Sequence, residues 1–120
     1  MKVIVRVSKN FKKEAKPLLK KHQTLAKDLL RLEKELTVQP RLGRPLGNDC
    51  YKIRLRITSK GMGKSRGARV ITKVDSDLIG LARVQHGEEI TVSLLSIYDK
   101  SEIANISDKE LKELIKMHGE

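Results

Sequence analysis

The sequence predicts an α+β fold, with an N-terminal strand, a two-helix hairpin, a mainly antiparallel sheet of about four to five strands and a C-terminal helix. Some segments alternate apolar and polar residues, which is typical of half-buried strands, and others repeat apolar residues every three or four positions, as amphipathic helices do. No inter-domain linker separates these segments, so residues 1–120 are predicted to form a single domain. Helices on one face of the sheet would leave the other face uncovered.

The N-terminal region predicts a strand followed by a helix. Residues 2–7 alternate and predict the strand. Ser8 is a suitable N-cap for a helix over about 9–21, and Pro17 is expected to kink or split that helix. The side of this helix that faces the core is expected to carry Phe11, Ala15, Leu18 and Leu19.

A second helix is predicted between Thr24, its expected N-cap, and Pro40. Its buried side is formed by leucines at helical spacing, namely Leu25, Leu29, Leu32 and Leu36. Four charged residues are expected to face away from the core, namely Lys27, Asp28, Arg31 and Glu35.

The middle of the chain predicts a loop and two strands. Residues 40–50 are rich in Gly, Pro and Asn and predict a loop. Strict alternation over 51–57 predicts a half-buried strand whose outer face carries only basic side chains. After a basic loop over 58–67, residues 68–74 predict the next strand.

The last third predicts a hairpin and a helix. Residues 79–85 and 89–98 are expected to pair as a hairpin that turns at 86–88. Ser107 and Glu110 have the spacing of a capping box, which predicts the start of the C-terminal helix.

Positive charge is concentrated in the first part of the chain. The whole chain has 26 Lys and Arg against 15 Asp and Glu, a net charge of +11 at pH 7. Residues 1–74 hold 21 basic and five acidic residues, and residues 51–73 hold eight basic residues and no acid. Such a patch attracts polyanions, so nucleic acid is the first candidate partner. An acidic protein or an anionic membrane surface would respond to the same field.

The sequence argues against a disulfide, a membrane span, a P-loop and a metal site. The single cysteine, Cys50, cannot form an intramolecular disulfide and is expected to be a small buried residue, as suits the reducing cytoplasm. The chain has no apolar run of about 18 residues and no signal-peptide pattern, so we expect a cytoplasmic protein without a membrane span. Gly63-Lys64-Ser65 does not complete a P-loop, because position 58 is threonine. The histidines lack metal-ligand spacing and are expected to be surface residues, namely His22, His86 and His118.

Three motifs carry a family resemblance. Residues 49–56 spell Asp-Cys-Tyr-Lys-Ile-Arg-Leu-Arg, residues 67–70 spell Gly-Ala-Arg-Val, and residues 95–102 spell Leu-Ser-Ile-Tyr-Asp-Lys-Ser-Glu. In this order, and within a β-α-α-β-β-β-α arrangement, they resemble RelE-like toxins of the RelE/ParE superfamily, which belong to type II toxin–antitoxin systems. The resemblance covers nearly the whole chain.

The resemblance implies a bacterial toxin that enters the ribosomal A site, cuts messenger RNA there, and is silenced by an antitoxin encoded beside it. It also implies a mostly basic catalytic group, whose matching positions are Lys52, Arg54, Arg69 and Lys100. A tyrosine in the family's C-terminal segment has no counterpart, since Ile106 lies near that place, and Tyr98 is the tyrosine nearby.

RNA cleavage without a metal needs a base for the 2′-hydroxyl, cations for the phosphorane and an acid for the leaving 5′-oxygen. A lysine can be the base if like charges lower its pKa. We therefore expect Lys52 to be the base, Arg54 and Arg69 to bind the phosphate, and Lys100 or Tyr98 to be the acid. Further RNA contacts are expected from Arg56, Lys60, Lys64, Arg66 and Lys73. No metal or small-molecule cofactor is predicted.

The antitoxin is expected to be acidic where it binds, because it must cover a basic protein. Its contacts are expected on the helices, on a sheet edge, or on the C-terminal helix at Leu111, Leu114 and Ile115. Two other functions stay open, a ParE-like toxin that acts on gyrase without cutting RNA and a non-catalytic RNA-binding domain. The small number of aromatic residues argues against base stacking as the main contact.

Overall fold

A computed structural model describes residues 2–60, 67–76, 89–100 and 105–118, and it shows an α+β architecture. No helix in these ranges is long and apolar enough to cross a membrane. The elements, in chain order, are β1 (Lys2–Val7), α1 (Lys9–Lys21), α2 (Leu25–Val38), β2 (Arg44–Gly47), β3 (Cys50–Arg56), a 3-10 turn (Thr58–Lys60), β4 (Gly67–Ser76), β5 (Glu89–Asp99) and α3 (Asp108–His118).

The five strands form one mixed sheet in the order β1-β5-β4-β3-β2. Only the β1–β5 pairing is parallel, and the other three described pairings are antiparallel. This confirms the predicted layout of an N-terminal strand, two helices, a mainly antiparallel sheet and a C-terminal helix. The first half of the predicted hairpin, residues 79–85, and its turn lie outside the described residues.

One face of the sheet, here called the apolar face, packs against α1 and α2. Its buried side chains come from alternating positions of the strands, such as Ile53 and Leu55 of β3 and Val92 of β5. Ser8 caps α1 as predicted, since its hydroxyl accepts a hydrogen bond from the Phe11 amide at 3.0 Å. The apolar face therefore contains the larger of the two cores.

The structure overturns the predicted split of α1 at Pro17 and the predicted burial of Leu19. Pro17 does not split the helix, which runs from Lys9 to Lys21. Pro17 lies on the exposed side, where water can solvate the carbonyl that its missing N–H would otherwise bind. Leu19 is 41% exposed, because Leu18 already occupies the position that faces the sheet.

The predicted loop over 40–50 contains a short strand, β2, which pairs with β3 as a hairpin. Asn48 and Asp49 at the turn both have positive φ, as the tight turns that join such hairpins require. Pro45 is tolerated because β2 is an edge strand, and a proline there loses no ladder hydrogen bond on its open side. The Gly, Pro and Asn residues of segment 40–50 therefore belong to a tight hairpin and not only to a loop.

Asp28 was expected to face solvent and is instead 1% exposed. Its carboxylate accepts hydrogen bonds from the backbone N–H and the hydroxyl of Thr58, from Thr24 and from Arg31. The Thr24 hydroxyl in turn accepts a hydrogen bond from the Ser59 amide at 2.8 Å. The network joins the start of α2 to the turn that follows β3.

The C-terminal helix lies on the opposite face of the sheet, so the expectation that all helices share one face was wrong. Leu111 of α3 packs with Ile71, Leu95 and Tyr98 in a second, smaller core that also includes Cys50. The predicted capping box is confirmed, because Ser107 Oγ and the Glu110 carboxylate each accept the other's backbone N–H, at 3.1 and 3.2 Å. The helix covers part of this face and leaves basic residues beside it.

Candidate functional site

The strand register aligns three of the predicted catalytic residues across the sheet. Arg54 of β3 lies opposite Arg69 of β4, and Arg69 lies opposite Tyr98 of β5. Lys52 lies two residues from Arg54 along β3, and Lys100 follows two residues after Tyr98. Because side chains two residues apart point to the same face of a strand, these five residues share the face that carries α3. We call it the basic face.

Arg54, Arg69 and Tyr98 thus form a row across three strands. Within this row, Arg69 is unusual because it is a buried cation. It is 4% exposed, and its guanidinium donates to the carbonyl oxygen of Ala68, its chain neighbour, at 3.3 Å. No carboxylate of the described residues lies within ion-pair distance of it. Burial and the nearby Arg54 charge both lower its pKa. A buried cation with a like charge opposite and no acidic partner is suited to an anionic ligand.

The pKa of Lys52 is shifted in the direction that a general base requires. Its pKa lies below its ordinary value of 10.5, first because of partial burial and then because of four positive neighbours. These neighbours are Arg44, Lys100, Arg69 and Arg54. The Lys52 ammonium donates a hydrogen bond to Asn105 Oδ1 at 3.3 Å, which holds it beside the segment that leads into α3.

Tyr98 and Lys100 differ in accessibility. The Tyr98 hydroxyl is buried and has no well-formed hydrogen bond with any described residue. Burial raises the pKa of Tyr98, while the Arg69 charge and the Ile106 backbone oppose part of that rise. Lys100 is only partly buried, at the end of β5. Of the two proposed proton donors, Lys100 is therefore the more accessible to a substrate.

The predicted RNA contacts are divided between two places. Arg56 is exposed at the end of β3, on the basic face and two residues from Arg54. Lys73 lies near the other end of β4, opposite Cys50, and forms an ion pair with Asp75. The structure does not bring Lys73 into the Arg54–Arg69–Tyr98 row. The side chain of Lys60, and Lys64 and Arg66 as whole residues, lie outside the described part of the chain.

The predicted antitoxin contacts on α3 face the protein's own interior. Leu111 is 3% exposed, and Leu114 and Ile115 are partly buried against the second core. In this structure these three side chains pack α3 against the basic face. A partner could reach all three only by replacing the helix on the sheet.

His22 was expected to lie on the surface, and that prediction was wrong. It is the C-cap residue of α1, it is 7% exposed, and its Nε2 lies 3.4 Å from Oδ2 of Asp99. Asp99 follows Tyr98 in β5, so its side chain points to the apolar face, where α1 ends. The pair ties the end of α1 to the strand that carries Tyr98.

Two residues of the site escaped the sequence analysis. Arg44 lies opposite Lys52 in the β2–β3 register, inside the segment expected to be a loop. Asn105 lies in the segment just before α3, and no periodic pattern marks it. The only signal for Arg44 was the pair of glycines around Arg-Pro-Leu, which is compatible with a short hairpin strand.

Within the described ranges, no group of three or more His, Cys, Asp or Glu side chains could hold a metal ion. The basic face instead offers cations and a phenol, which suit a phosphate-bearing ligand. No protein-family model matches the chain, and no curated protein is significantly similar to it. The site is therefore interpreted from its own residues.

Proposed function

We propose that this protein is the toxin of a type II toxin–antitoxin pair, similar to RelE, and that its basic face cuts messenger RNA on the ribosome. The observation that carries the proposal is the buried Arg69, which lies between Arg54 and Tyr98 and has no carboxylate partner among the described residues, with Lys52 and Lys100 beside them. Like charges on directly opposed residues destabilise a sheet. An arrangement that costs stability in the free protein is explained if its normal ligand is a phosphate.

The reaction we propose needs only groups of this chain. Neutral Lys52 takes the proton of the ribose 2′-hydroxyl at Nζ, and the oxygen attacks the adjacent phosphorus. Arg54 and Arg69 bind the phosphate oxygens and stabilise the added negative charge of the phosphorane. The P–O5′ bond breaks, Lys100 gives a proton to the leaving 5′-oxygen, and the products are a 2′,3′-cyclic phosphate and a 5′-hydroxyl.

The lowered pKa of Lys52 supports its place in this scheme. Both its partial burial and its four cationic neighbours favour the neutral amine, which is the form that can accept a proton. Asn105 accepts from the same Nζ, so the lone pair of the neutral amine would point away from Asn105. Tyr98 keeps its proton at neutral pH because its pKa is raised, so it supports Arg69 as a neutral neighbour.

The proposal includes a cytoplasmic location and an acidic antitoxin. A net charge of +11 provides the long-range attraction for both the ribosome and such a partner. The antitoxin would have to neutralise the basic face or block its approach to RNA.

The test is inducible expression in bacteria, with the 5′ ends of messenger RNA mapped before and after induction. We expect growth arrest with new cuts inside translated frames. Arg54→Gln should reduce cleavage about a hundredfold, the typical effect of losing one transition-state charge contact. Lys73→Gln is the matched control, because it removes the same charge from the same face away from the row, and it should retain most of the cleavage.

Each alternative result has a distinct meaning. Growth arrest without new cuts, together with loss of supercoiling activity, would replace the proposal with a gyrase-directed toxin. No arrest, with RNA binding that weakens steeply as salt rises, would replace it with a non-catalytic RNA-binding domain. Equal loss of cleavage in Arg54→Gln and Lys73→Gln would show that only overall charge matters.

A further inference from the structure

On the side away from β4, half of β3 has no strand beside it within the part of the chain that the structure describes. The β2–β3 register ends where Arg44 meets Lys52, whereas the β3–β4 register continues to Arg56. Residues 53–56 therefore form an open edge of the sheet among the described residues. An open edge presents backbone donors and acceptors that another extended chain can use.

The backbone groups at this edge can be assigned from three contacts. A Cβ added at Gly43 would clash with the Lys52 carbonyl oxygen, so that carbonyl faces the β2 side. A Cβ added at Gly67 would clash with the Leu55 carbonyl oxygen, so that carbonyl faces β4. Since successive residues alternate, the N–H and C=O of Arg54 and Arg56 face the open side.

One of these four groups already has a partner. Arg31 of α2 donates to the Arg56 carbonyl oxygen at 3.2 Å, which agrees with the alternation. The N–H and C=O of Arg54 and the N–H of Arg56 have no partner strand among the described residues. They have the spacing at which an added strand forms its hydrogen bonds.

The open edge lies in a groove of about 810 Å³ between β3 and α2. On one side, apolar residues line the groove, namely Leu32, Leu42, Ile53 and Leu55. Its charged lining is almost wholly basic, with Arg31, Arg44, Lys52, Arg54 and Arg56 against Glu35. The groove thus combines a backbone edge, an apolar floor and a cationic rim.

We propose that this edge groove binds an extended acidic peptide segment of a partner protein, which adds to the sheet as a strand beside β3. Side chains of an added strand alternate between the two faces of the sheet. One set would contact Leu42, the partly exposed member of the apolar lining, and should be apolar, and the other would meet Arg54 and Arg56 and should be acidic. The segment recognised is therefore one that alternates acidic and apolar residues.

Charge argues against the other occupants. A second copy of this chain would bring the same cations to the edge, and like charges on opposed strands repel. RNA could use the cationic rim and could accept a hydrogen bond from a single backbone N–H, but it has no backbone with the repeat of a strand and no apolar side chains for the groove. The inference does not depend on RNA cleavage, because it rests on the edge and its lining alone.

The experiment uses the full chain and a short fluorescein-labelled peptide of alternating glutamate and valine, with binding measured by anisotropy at fixed salt. The control peptide has the same sequence and charge but carries N-methyl groups on alternate backbone amides, which prevents strand pairing. We expect the methylated peptide to bind at least tenfold more weakly. Amide hydrogen exchange should slow at Arg54 and Arg56 when the unmodified peptide is added.

Arg56→Pro removes the outward N–H and should weaken peptide binding about tenfold relative to Arg56→Gln, which removes only the charge. If Arg56→Pro fails to fold, hydrogen exchange on the unaltered protein still decides the question. Equal affinity for the two peptides, or no protection at Arg54 and Arg56, would overturn the inference and leave simple charge attraction. Protection of these amides by an oligouridylate but not by the peptide would overturn it in favour of RNA.

Discussion

The two faces of β3 show how one strand can serve stability on one side and ligand binding on the other. Ile53 and Leu55 are 4% exposed and pack in the core of the apolar face, on the side covered by α2, whereas Arg54 between them is exposed on the basic face. The basic face places Arg54 directly opposite Arg69, and like charges on opposed residues cost stability. One strand thus contributes core packing on its apolar face and, on its basic face, opposed cations that the proposed phosphate ligand would neutralise.

The largest change in stability is expected at Asp28, whose buried charge supports the packing of the apolar face. Asp28→Asn should lower the free energy of unfolding by about 3 kcal/mol, because it disrupts a buried carboxylate with four donors. Burial raises the pKa of Asp28, but the hydrogen bonds from Thr58, Arg31 and Thr24 outweigh it, so the pKa lies below 3.8. This stabilisation is therefore present above the unfolded pKa and is lost as the pH falls through the folded pKa.

Urea unfolding at neutral pH and at low pH measures this effect. Glu33→Gln, at an exposed position of the same helix, is the control and should change stability little. If Asp28→Asn proved as stable as the native chain at neutral pH, the network would not hold α2 to the turn after β3.

A smaller change in stability, this time an increase, is expected from removing a charge on the basic face. Arg69→Met should raise the free energy of unfolding by about 1 kcal/mol, because it removes a buried charge that lies opposite Arg54 and has no acidic partner among the described residues, and because it keeps an unbranched side chain. The same substitution should abolish RNA cleavage if the proposed function holds. Chemical denaturation tests stability separately from activity.

Arg56→Met is the matched control, since Arg56 is exposed and lies opposite Gly67. Its stability should change by less than about 0.5 kcal/mol. Clear destabilisation by Arg69→Met would mean that Arg69 is a structural residue, and the contrast between the two faces would lose its main support.

The smallest effect expected is a pKa shift inside the basic face. Removing the Arg44 charge should raise the pKa of Lys52 towards its ordinary value, because a neighbouring cation no longer disfavours the protonated amine. An NMR titration of the Lys52 side chain in Arg44→Gln should show its midpoint at higher pH than in the native chain. If Lys52 is the general base, the pH at which cleavage rises should increase in the same direction.

Arg41→Gln is the control for this measurement, because Arg41 is exposed and is not among the charges that act on Lys52. An unchanged Lys52 midpoint in Arg44→Gln would show that Arg44 does not contribute to the lowered pKa. A shift to lower pH would contradict the assigned geometry.

Local patterns predicted what depends on neighbours in sequence. Alternation over 51–57 located β3 and its basic side, and the Ser107–Glu110 spacing located the start of α3. Patterns of this kind carry no information on which elements meet across the sheet. That is why Asp28, whose partner Thr58 is 30 residues away, was expected to face solvent.

The candidate site was predictable only in part for the same reason. The basic residues of β3 were evident, but the register that sets Arg54 opposite Arg69 and Arg44 opposite Lys52 is a tertiary property. The buried His22–Asp99 pair joins α1 to β5 over 77 positions, and no local pattern marks either residue. Contacts of this kind depend on the packed sheet, not on spacing along the chain.

The parallel pairing of β1 with β5 has a consequence for how the protein is made. β1 pairs with β5, with Lys2 beside Glu89, and β5 lies between β1 and β4 in the sheet. During synthesis β1 emerges long before β5, the strand that joins it to β4, and such long-range pairing is slow to form. Arg69 meets Tyr98 only when β5 is in place. A nascent chain therefore carries the positive charge of residues 1–74 before its basic face is ordered, because that face is complete only once β5 has been made.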